Sequence, residues 1–413
     1  MTFFILGKHP SLSLSELFAV LPQNACLSAF SQTNILANQI NEDWSILQDR
    51  LSGVIKIGQL LKEFPFSSLK KEKEQIEQII IDDLLLFEKK IIFGFSLYTD
   101  PLQKQQKEIQ KFFFTLGLSI KKKLKEQHRS VRFVTSKEIA LSSVVVKTNH
   151  LLTSGGEYVF LVNNQNILLG KTRTVQDFSA WSKRDYGRPC RDAKSGMLPP
   201  KLARLMVNLT GKNPTNSTLL DPFCGSGTVL MEAGLLGYQK IIGSDIAVKA
   251  IQDTKKNLDW LWQNNPTTKI QTTLFVEGAQ TLSKKLHEPV DCIVTETYLG
   301  PPQTGQKTRK QMEQIKKDLL DLYEKTFRSL VSLLKNDGVM VVAFPVFQQN
   351  HERFFLPIKS LLESAGLSIH DPLPTNIPNF FQKKTPSGGL LYEREGQRVA
   401  REIFIFKKHS STY

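Results

Sequence analysis

A chain of 413 residues is two to three times the usual domain length, so more than one domain is expected. Hydrophobic residues at 40% and charged residues at 23% are ordinary globular usage and exclude a largely disordered chain. The net charge of +15 directs attention to polyanions, and its distribution says more than its sum. Residues 181–215 carry eight basic side chains against two acidic ones, whereas 22 oppose 17 over residues 1–180 and 24 oppose 20 over residues 216–413. The longest apolar runs, such as Leu84-Leu85-Leu86-Phe87, meet Glu88-Lys89-Lys90 well short of the ~18 residues of a membrane span. Met1 to Lys8 has no basic stretch ahead of an apolar one, so no secretory signal is read and the cytoplasm is the expected compartment. Cys26, Cys190, Cys224 and Cys292 stand singly, and His128, His150, His287 and His351 lack ligand spacing, so neither a disulfide framework nor a metal is expected.

Two small α+β units are predicted ahead of residue 181. In the first, residues 1–75, a strand at 3–7 is followed by a helix at 13–21, a strand near 25–30 and a helix at 47–61. A charged stretch at 69–78 separates it from the second, residues 76–180. There a strand at 91–98 leads to an amphipathic helix running from Pro101 to about Glu126 and ending in Lys121-Lys122-Lys123-Leu124-Lys125. A strand at 131–134, a helix at 142–151 and two strands at 157–162 and 166–169, around the turn signal Asn163-Asn164-Gln165, complete it.

From Thr218 strands alternate with helices. Strands are predicted at 218–220, 240–244, 270–276, 290–295, 338–344 and 403–406, and helices at 229–236, 247–262 and 308–334. The fold class is therefore α/β, a mostly parallel sheet over residues 216–413, preceded by the α+β units and by a basic linker and lead-in helix at 181–215. Ligands of such sheets bind at the C-terminal ends of the strands.

The segment Leu219-Leu220-Asp221-Pro222-Phe223-Cys224-Gly225-Ser226-Gly227-Thr228 combines an apolar strand ending in an acid, two glycines for a tight turn and an immediate helix start. The third glycine of a dinucleotide fingerprint is absent, and no Gly-Lys-Ser/Thr follows, which disfavours an NAD site and excludes a phosphate-cradling loop. Asp221 stands where a cationic ligand such as an adenosyl sulfonium with its ammonium group is welcome. Asp245, eighteen residues after Gly227 at the end of the next strand, is placed to grip ribose hydroxyls. Cys224 is read as a small packing residue.

Asp-Pro-Phe-Cys-Gly-Ser-Gly-Thr with a following strand-end Asp resembles the S-adenosylmethionine loop of class I methyltransferases that modify exocyclic amines of nucleic acids. The upstream runs Arg184-Asp185-Tyr186-Gly187-Arg188-Pro189 and Met197-Leu198-Pro199-Pro200-Lys201-Leu202-Ala203 resemble the THUMP-containing tRNA guanosine N2-methyltransferases that act at position ten. That resemblance implies a Rossmann-like methyltransferase domain behind ferredoxin-like and THUMP-like units. It implies S-adenosylmethionine held by Asp221, Phe223, Gly225, Gly227 and Asp245, tRNA as partner, and room for a small activating subunit.

Two departures from the family pattern stand out. Where an Asp usually meets the adenine amine this chain has Gly278, leaving Glu277 as the substitute. Where the fourth strand usually ends in Asp/Asn-Pro-Pro-aromatic, the run is Thr295-Glu296-Thr297-Tyr298-Leu299-Gly300-Pro301-Pro302, with Glu296 as acceptor for the target amine and Tyr298 as the stacking platform. No cysteine stands in that loop, so a cytosine C5 mechanism is excluded, and Cys292 is expected in the core. Lys183, Arg184, Tyr186, Arg188, Arg191 and Lys194 are expected at RNA phosphates and bases. The sequence leaves two rivals open: a ribosomal RNA or DNA amino-methyltransferase, and a non-catalytic protein that binds S-adenosylmethionine and RNA.

Overall fold

Short apolar runs and turn residues build the N-terminal half of the computed structural model, which describes residues 1–99, 106–163, 165–191, 197–265, 270–301, 307–349, 352–375 and 377–408. The elements in order are β1 (Thr2–Leu6), α1 (Pro10–Val20), β2 (Leu27–Ser31), β3 (Asn34–Ala37), α2 (Trp44–Arg50), β4 (Val54–Pro65), α3 (Lys73–Leu85), β5 (Ile91–Thr99), α4 (Gln106–Glu126), β6 (Val131–Val134), α5 (Ser143–Thr148), β7 (Gly155–Val162) and β8 (Asn166–Val175). The strands join in one eight-stranded sheet of order β2-β3-β1-β4-β8-β7-β5-β6. Helices α3 and α4 cover it with Ile76, Ile80, Leu84, Leu116 and Ile120, packed on Phe93 and Phe160.

Two expectations are corrected here. The helix predicted at 47–61 is a short helix followed by strand β4. Gly53 and Gly58 explain this: β4 lies so close to its neighbours that an added Cβ at Gly58 would meet the Phe3 ring at 2.2 Å, and the β-branched Val54, Ile55 and Ile57 suit a pleated strand. Residues 1–75 and 76–180 also do not build separate sheets, because β4 pairs antiparallel with β8 along most of its length. A buried ion pair between Lys56 of β4 and Glu157 of β7 spans the same seam, with Thr172 Oγ1 donating to Glu157 Oε2 at 2.6 Å. By compactness the chain divides instead into Met1–Ser13 with Leu21–Phe178, and Leu14–Val20 with Ser179–Tyr413. Pro101, the expected start of α4, lies outside the described residues.

The second unit contains α6 (Phe178–Tyr186), α7 (Pro200–Asn208), β9 (Thr218–Asp221), α8 (Thr228–Leu235), β10 (Lys240–Asp245), α9 (Val248–Asn264), β11 (Gln271–Val276), β12 (Val290–Glu296), α10 (Arg309–Leu333), β13 (Leu334–Gln349), β14 (Glu352–Phe354), α11 (Ile358–Ser364), β15 (Leu367–Ile369), β16 (Leu390–Tyr392) and β17 (Val399–Lys408). The main path of its sheet runs β11-β10-β9-β12-β13-β17-β15. Strands β9 to β13 are parallel and β17 is antiparallel to β13. The chain leaves β9 toward β10 on one side and returns to it through β12 on the other, so the crevice of this sheet lies beyond the C-terminal ends of β9 and β12. Buried Leu220, Ile293, Val342, Phe344 and Phe404 fill the sheet faces, and α10 contributes Leu319, Tyr323, Phe327 and Leu330.

Candidate active site

The loop after β9 is set by two glycines with positive φ, Gly225 at 53° and Gly227 at 85°. A Cβ at Gly227 would approach Thr254 Cγ2 to 2.9 Å, whereas one at Gly225 would stand in open space, a cradle that glycine leaves clear for a ligand. Helix α9 braces the loop: Thr254 Oγ1 donates to Gly225 O at 2.8 Å and Asn257 Nδ2 to Ser226 O at 2.8 Å. Asp245, at the end of β10, accepts from Gly225 N at 3.0 Å through Oδ2 and from Ala247 N at 2.9 Å through Oδ1. Its carboxylate is thus oriented by the backbone before any ligand arrives.

Pro222, Phe223, Asp245, Ile246, Gly278, Ala279, Gln280, Glu296 and Tyr298 share the wall of one cavity of about 400 Å³. Leu322 and Thr326 of α10 close it, and among the described residues the buried Thr326 Oγ1 has no hydrogen-bond partner. Asp221, expected to meet a cationic group, lies just behind this wall at 2% exposure. Its Oδ1 accepts from Thr295 Oγ1 at 2.7 Å and Phe223 N at 3.2 Å. Burial pushes its carboxyl up to about 7, against those hydrogen bonds. Glu277 is likewise turned to the protein: its Oε1 accepts from Thr281 Oγ1 at 2.5 Å, and the cavity wall passes through Gly278, Ala279 and Gln280.

At the end of β12, Glu296 is 13% exposed and forms an ion pair with Arg401 of β17, Nε to Oε1 2.9 Å. Burial raises its carboxyl above the usual range and Arg401 opposes that shift. Tyr298 is half exposed, as a stacking platform must be, and Tyr323 OH donates to its carbonyl at 2.6 Å. Thr297 N and Oγ1 both donate to Ala343 O at 3.1 Å, which holds the loop to β13. Pro302 lies outside the described residues. Cys292 is fully buried, and burial pushes its thiol up to about 12, leaving no nucleophilic thiolate.

The basic segment differs from a solvated linker. Arg184 Nε donates to Glu232 Oε1 at 2.7 Å and Arg204 Nε to Glu232 Oε2 at 2.8 Å, with both guanidinium groups on the Trp181 ring at 4.2 and 5.0 Å. Arg188 is 3% exposed, its Nη1 donating to Thr228 Oγ1 at the start of α8 at 2.6 Å. Arg184, expected at RNA, therefore clamps α6 to α8 through Glu232, a buried carboxylate that demands such a partner, and Arg188, also expected at RNA, clamps its own segment to the start of α8 through Thr228. Lys183, Tyr186 and Arg191 remain exposed, and Lys194 lies outside the described residues. Sequence reasoning missed Arg401, Tyr323, Thr326 and Asn257. Only Arg401 left a signal, as half of the charged pair Arg401-Glu402 within the apolar part of its strand.

The sheet order, the antiparallel strand β17 beside β13 and the glycine loop beside a strand-end Asp define a Rossmann-like class I methyltransferase domain. The UPF0020 family model, an RMKL-like methyltransferase domain, matches residues 188–354, and a DNA methylase model matches residues 65–256. A probable tRNA (guanine(10)-N2)-dimethyltransferase of Methanothermococcus thermolithotrophicus is 32% identical over 177 residues, 43% of this chain and 95% of that protein. The tRNA (guanine(10)-N2)-dimethyltransferases of Methanothermobacter thermautotrophicus and Methanocaldococcus jannaschii are 30% and 35% identical over 49% and 36% of this chain. The matched regions span 52% and 38% of those two relatives, so the chain spans about half or less of their length. The chain belongs to the tRNA (guanine(10)-N2)-dimethyltransferase family. Two crystal structures share its fold: TrmN from Thermus thermophilus, TM-score 0.53 at 17% identity over 99% of this chain and 100% of that one, and a possible methylase from Clostridium difficile 630, TM-score 0.50 at 13% identity over 100% and 99%. S-adenosylmethionine is the cofactor of such a domain, and the clear space at Gly225 beside the preset Asp245 carboxylate fits its ribose and methionine parts. Among the described residues no group of three or more metal-ligating side chains occurs, and no helix is long and apolar enough to cross a membrane.

Proposed function

We propose that the chain transfers a methyl group from S-adenosylmethionine to the exocyclic N2 amine of a guanosine in tRNA. The observation that carries this reading is the single cavity in which Phe223 and Asp245 face Glu296 and Tyr298. Asp245 holds ribose hydroxyls, and Phe223 with Ile246 supplies apolar wall. Tyr298 stacks on a base turned out of its helix, and Glu296 accepts an N2 hydrogen, so that the nitrogen lone pair is directed at the methyl carbon. The bound cofactor supplies an electrophilic methyl on a sulfonium. As the new C–N bond forms and the C–S bond breaks, the carboxylate of Glu296 is placed to take the proton that the amine loses.

The family relationship supports a division of labour in which the N-terminal unit grips the 3′ end of tRNA. Exposed Lys122, Lys123 and Lys125 on α4, and Lys183 and Arg191 farther on, suit phosphate contacts. Binding of this kind weakens by about one power of salt concentration per phosphate neutralised and ignores most base identities.

Labelled-methyl transfer to tRNA transcripts, followed by mapping, should place the label on guanosine N2. Label on an adenine amine, or on DNA or ribosomal RNA and not on tRNA, overturns the reading. Removing the single-stranded 3′ end should strongly reduce methylation while cofactor binding to the free enzyme stays the same; full methylation of the truncated transcript removes the 3′ end from the account.

A further inference from the structure

Strand β17 is apolar and buried from Ala400 to Phe406 except for the charged pair Arg401-Glu402, which are 4% and 0% exposed. A charge there needs a partner, and Arg401 finds it outside its own strand, in Glu296 at 2.9 Å. The guanidinium is fixed from behind, Nη1 donating to Val399 O at 3.0 Å and to Gln397 Oε1 at 3.3 Å. The pair therefore has a defined orientation, Oε1 held by Arg401 and Oε2 without a hydrogen bond among the described residues.

That arrangement has chemical consequences for the target base. A buried carboxyl with no cation tends to protonate, and a protonated carboxyl is a donor as well as an acceptor. An ionised one only accepts. Guanine presents N1–H and N2–H side by side, whereas adenine presents a ring acceptor beside its amine. Among the described residues the other titratable groups that sense Glu296 are Asp221 on β9 and Tyr323 on α10, and neither brings positive charge. Arg401 thus carries the task.

We propose that Arg401 is the positioning residue of the target-base site, holding Glu296 as an acceptor-only edge that takes the adjacent N–H donors of guanine and refuses adenine. This rests on the function proposed above, and its test separates the two. With the full chain and saturating S-adenosylmethionine, Arg401→Gln should lower kcat on tRNA transcripts by about tenfold or more at pH 7. It should move the acid limb of the profile upward by about one to three pH units, the shift that loss of a close opposite charge produces. Affinity for S-adenosylmethionine should not change, which also reports that the variant is folded, and Arg401→Lys should restore part of each effect. In a Glu296→Gln background, Arg401→Gln should cost nothing more, because the charge it serves is gone. An acid limb that stays in place, or full additivity of the two substitutions, overturns the proposal. The carboxyl titration of Glu296, read by carbon NMR in the wild type and in Arg401→Gln, gives the same answer without turnover: an unchanged midpoint sinks the role of Arg401. A wild-type chain that leaves tRNA unmethylated counts against the functional reading alone.

Discussion

Between Pro222 and Gly227 the chain is held largely through backbone groups: Cys224 N donates to Ser244 O at 2.9 Å, Gly225 N to Asp245, and α9 side chains cap the carbonyls of Gly225 and Ser226. After Glu296 the loop depends on side chains from afar, Tyr323 on α10 and Arg401 on β17, the latter 105 residues away in sequence. A loop held by its own backbone groups keeps its shape through most changes of its own side chains. A site made from paired side chains depends on each partner. On the function proposed above, the first holds what every turnover uses, the cofactor, and the second holds what must be discriminated, the base.

Substitutions should sort along that line. The largest effect is expected at Glu296: Glu296→Ala should lower turnover on tRNA by ~10²-fold or more with cofactor affinity nearly intact, because the contact matters as the amine becomes a nucleophile. Equal turnover in variant and wild type would remove Glu296 from the chemistry. Asp245→Ala should do the reverse, weakening S-adenosylmethionine by ~1.5–3 kcal/mol, the usual loss for hydrogen bonds to a charged group. Calorimetry reads it, and unchanged affinity in a folded variant would move the ribose contact elsewhere.

Asp221 links the two loops through Thr295 and gives a pH signature. Its native carboxyl is raised to about 7 by burial, so between pH 4 and 7 the folded apo chain holds a proton that the unfolded chain has released. Its contribution to stability therefore falls as pH rises through that window, at up to about 1.4 kcal/mol per pH unit, and Asp221→Asn should flatten the profile. Chemical denaturation at a series of pH values checks this; an identical slope in both proteins would contradict it. The smallest change is expected at Thr326, whose hydroxyl has no partner in the cavity wall. Thr326→Val should leave the unfolding free energy of the apo chain unchanged or raise it by up to ~1 kcal/mol, since no hydrogen bond is lost. A clear destabilisation would mean that the hydroxyl is satisfied after all.

The cofactor loop was legible because its instructions are local. Gly225 and Gly227 are needed for positive φ, Asp245 falls at a strand end, and the alternation of strands and helices fixes which ends share a crevice. Strand β4 was misread as helix because its apolar residues satisfy both periods, and only the close approach of β1 and β8, permitted by Gly58, selects the pleat. The basic segment was read by charge density and by arginines interleaved with Tyr186. Density cannot tell a solvated arginine from one facing a buried carboxylate, and Glu232 lies 48 residues beyond Arg184 in sequence.

The sequence by itself determined the parallel sheet, the glycine loop and the acid beside it, and it offered Glu296 and Tyr298 in place of the usual target-base residues. These follow from short-range rules of backbone conformation and strand-end chemistry. Tertiary structure decided that Asp221 and Glu277 face the protein, that Arg184 and Arg188 are clamps, and that Glu296 is held by Arg401. Apart from Glu277, whose partner Thr281 is four residues on, each of these turns on which side chain meets which across elements far apart in the chain, and burial makes such pairings obligatory without announcing them in the local pattern.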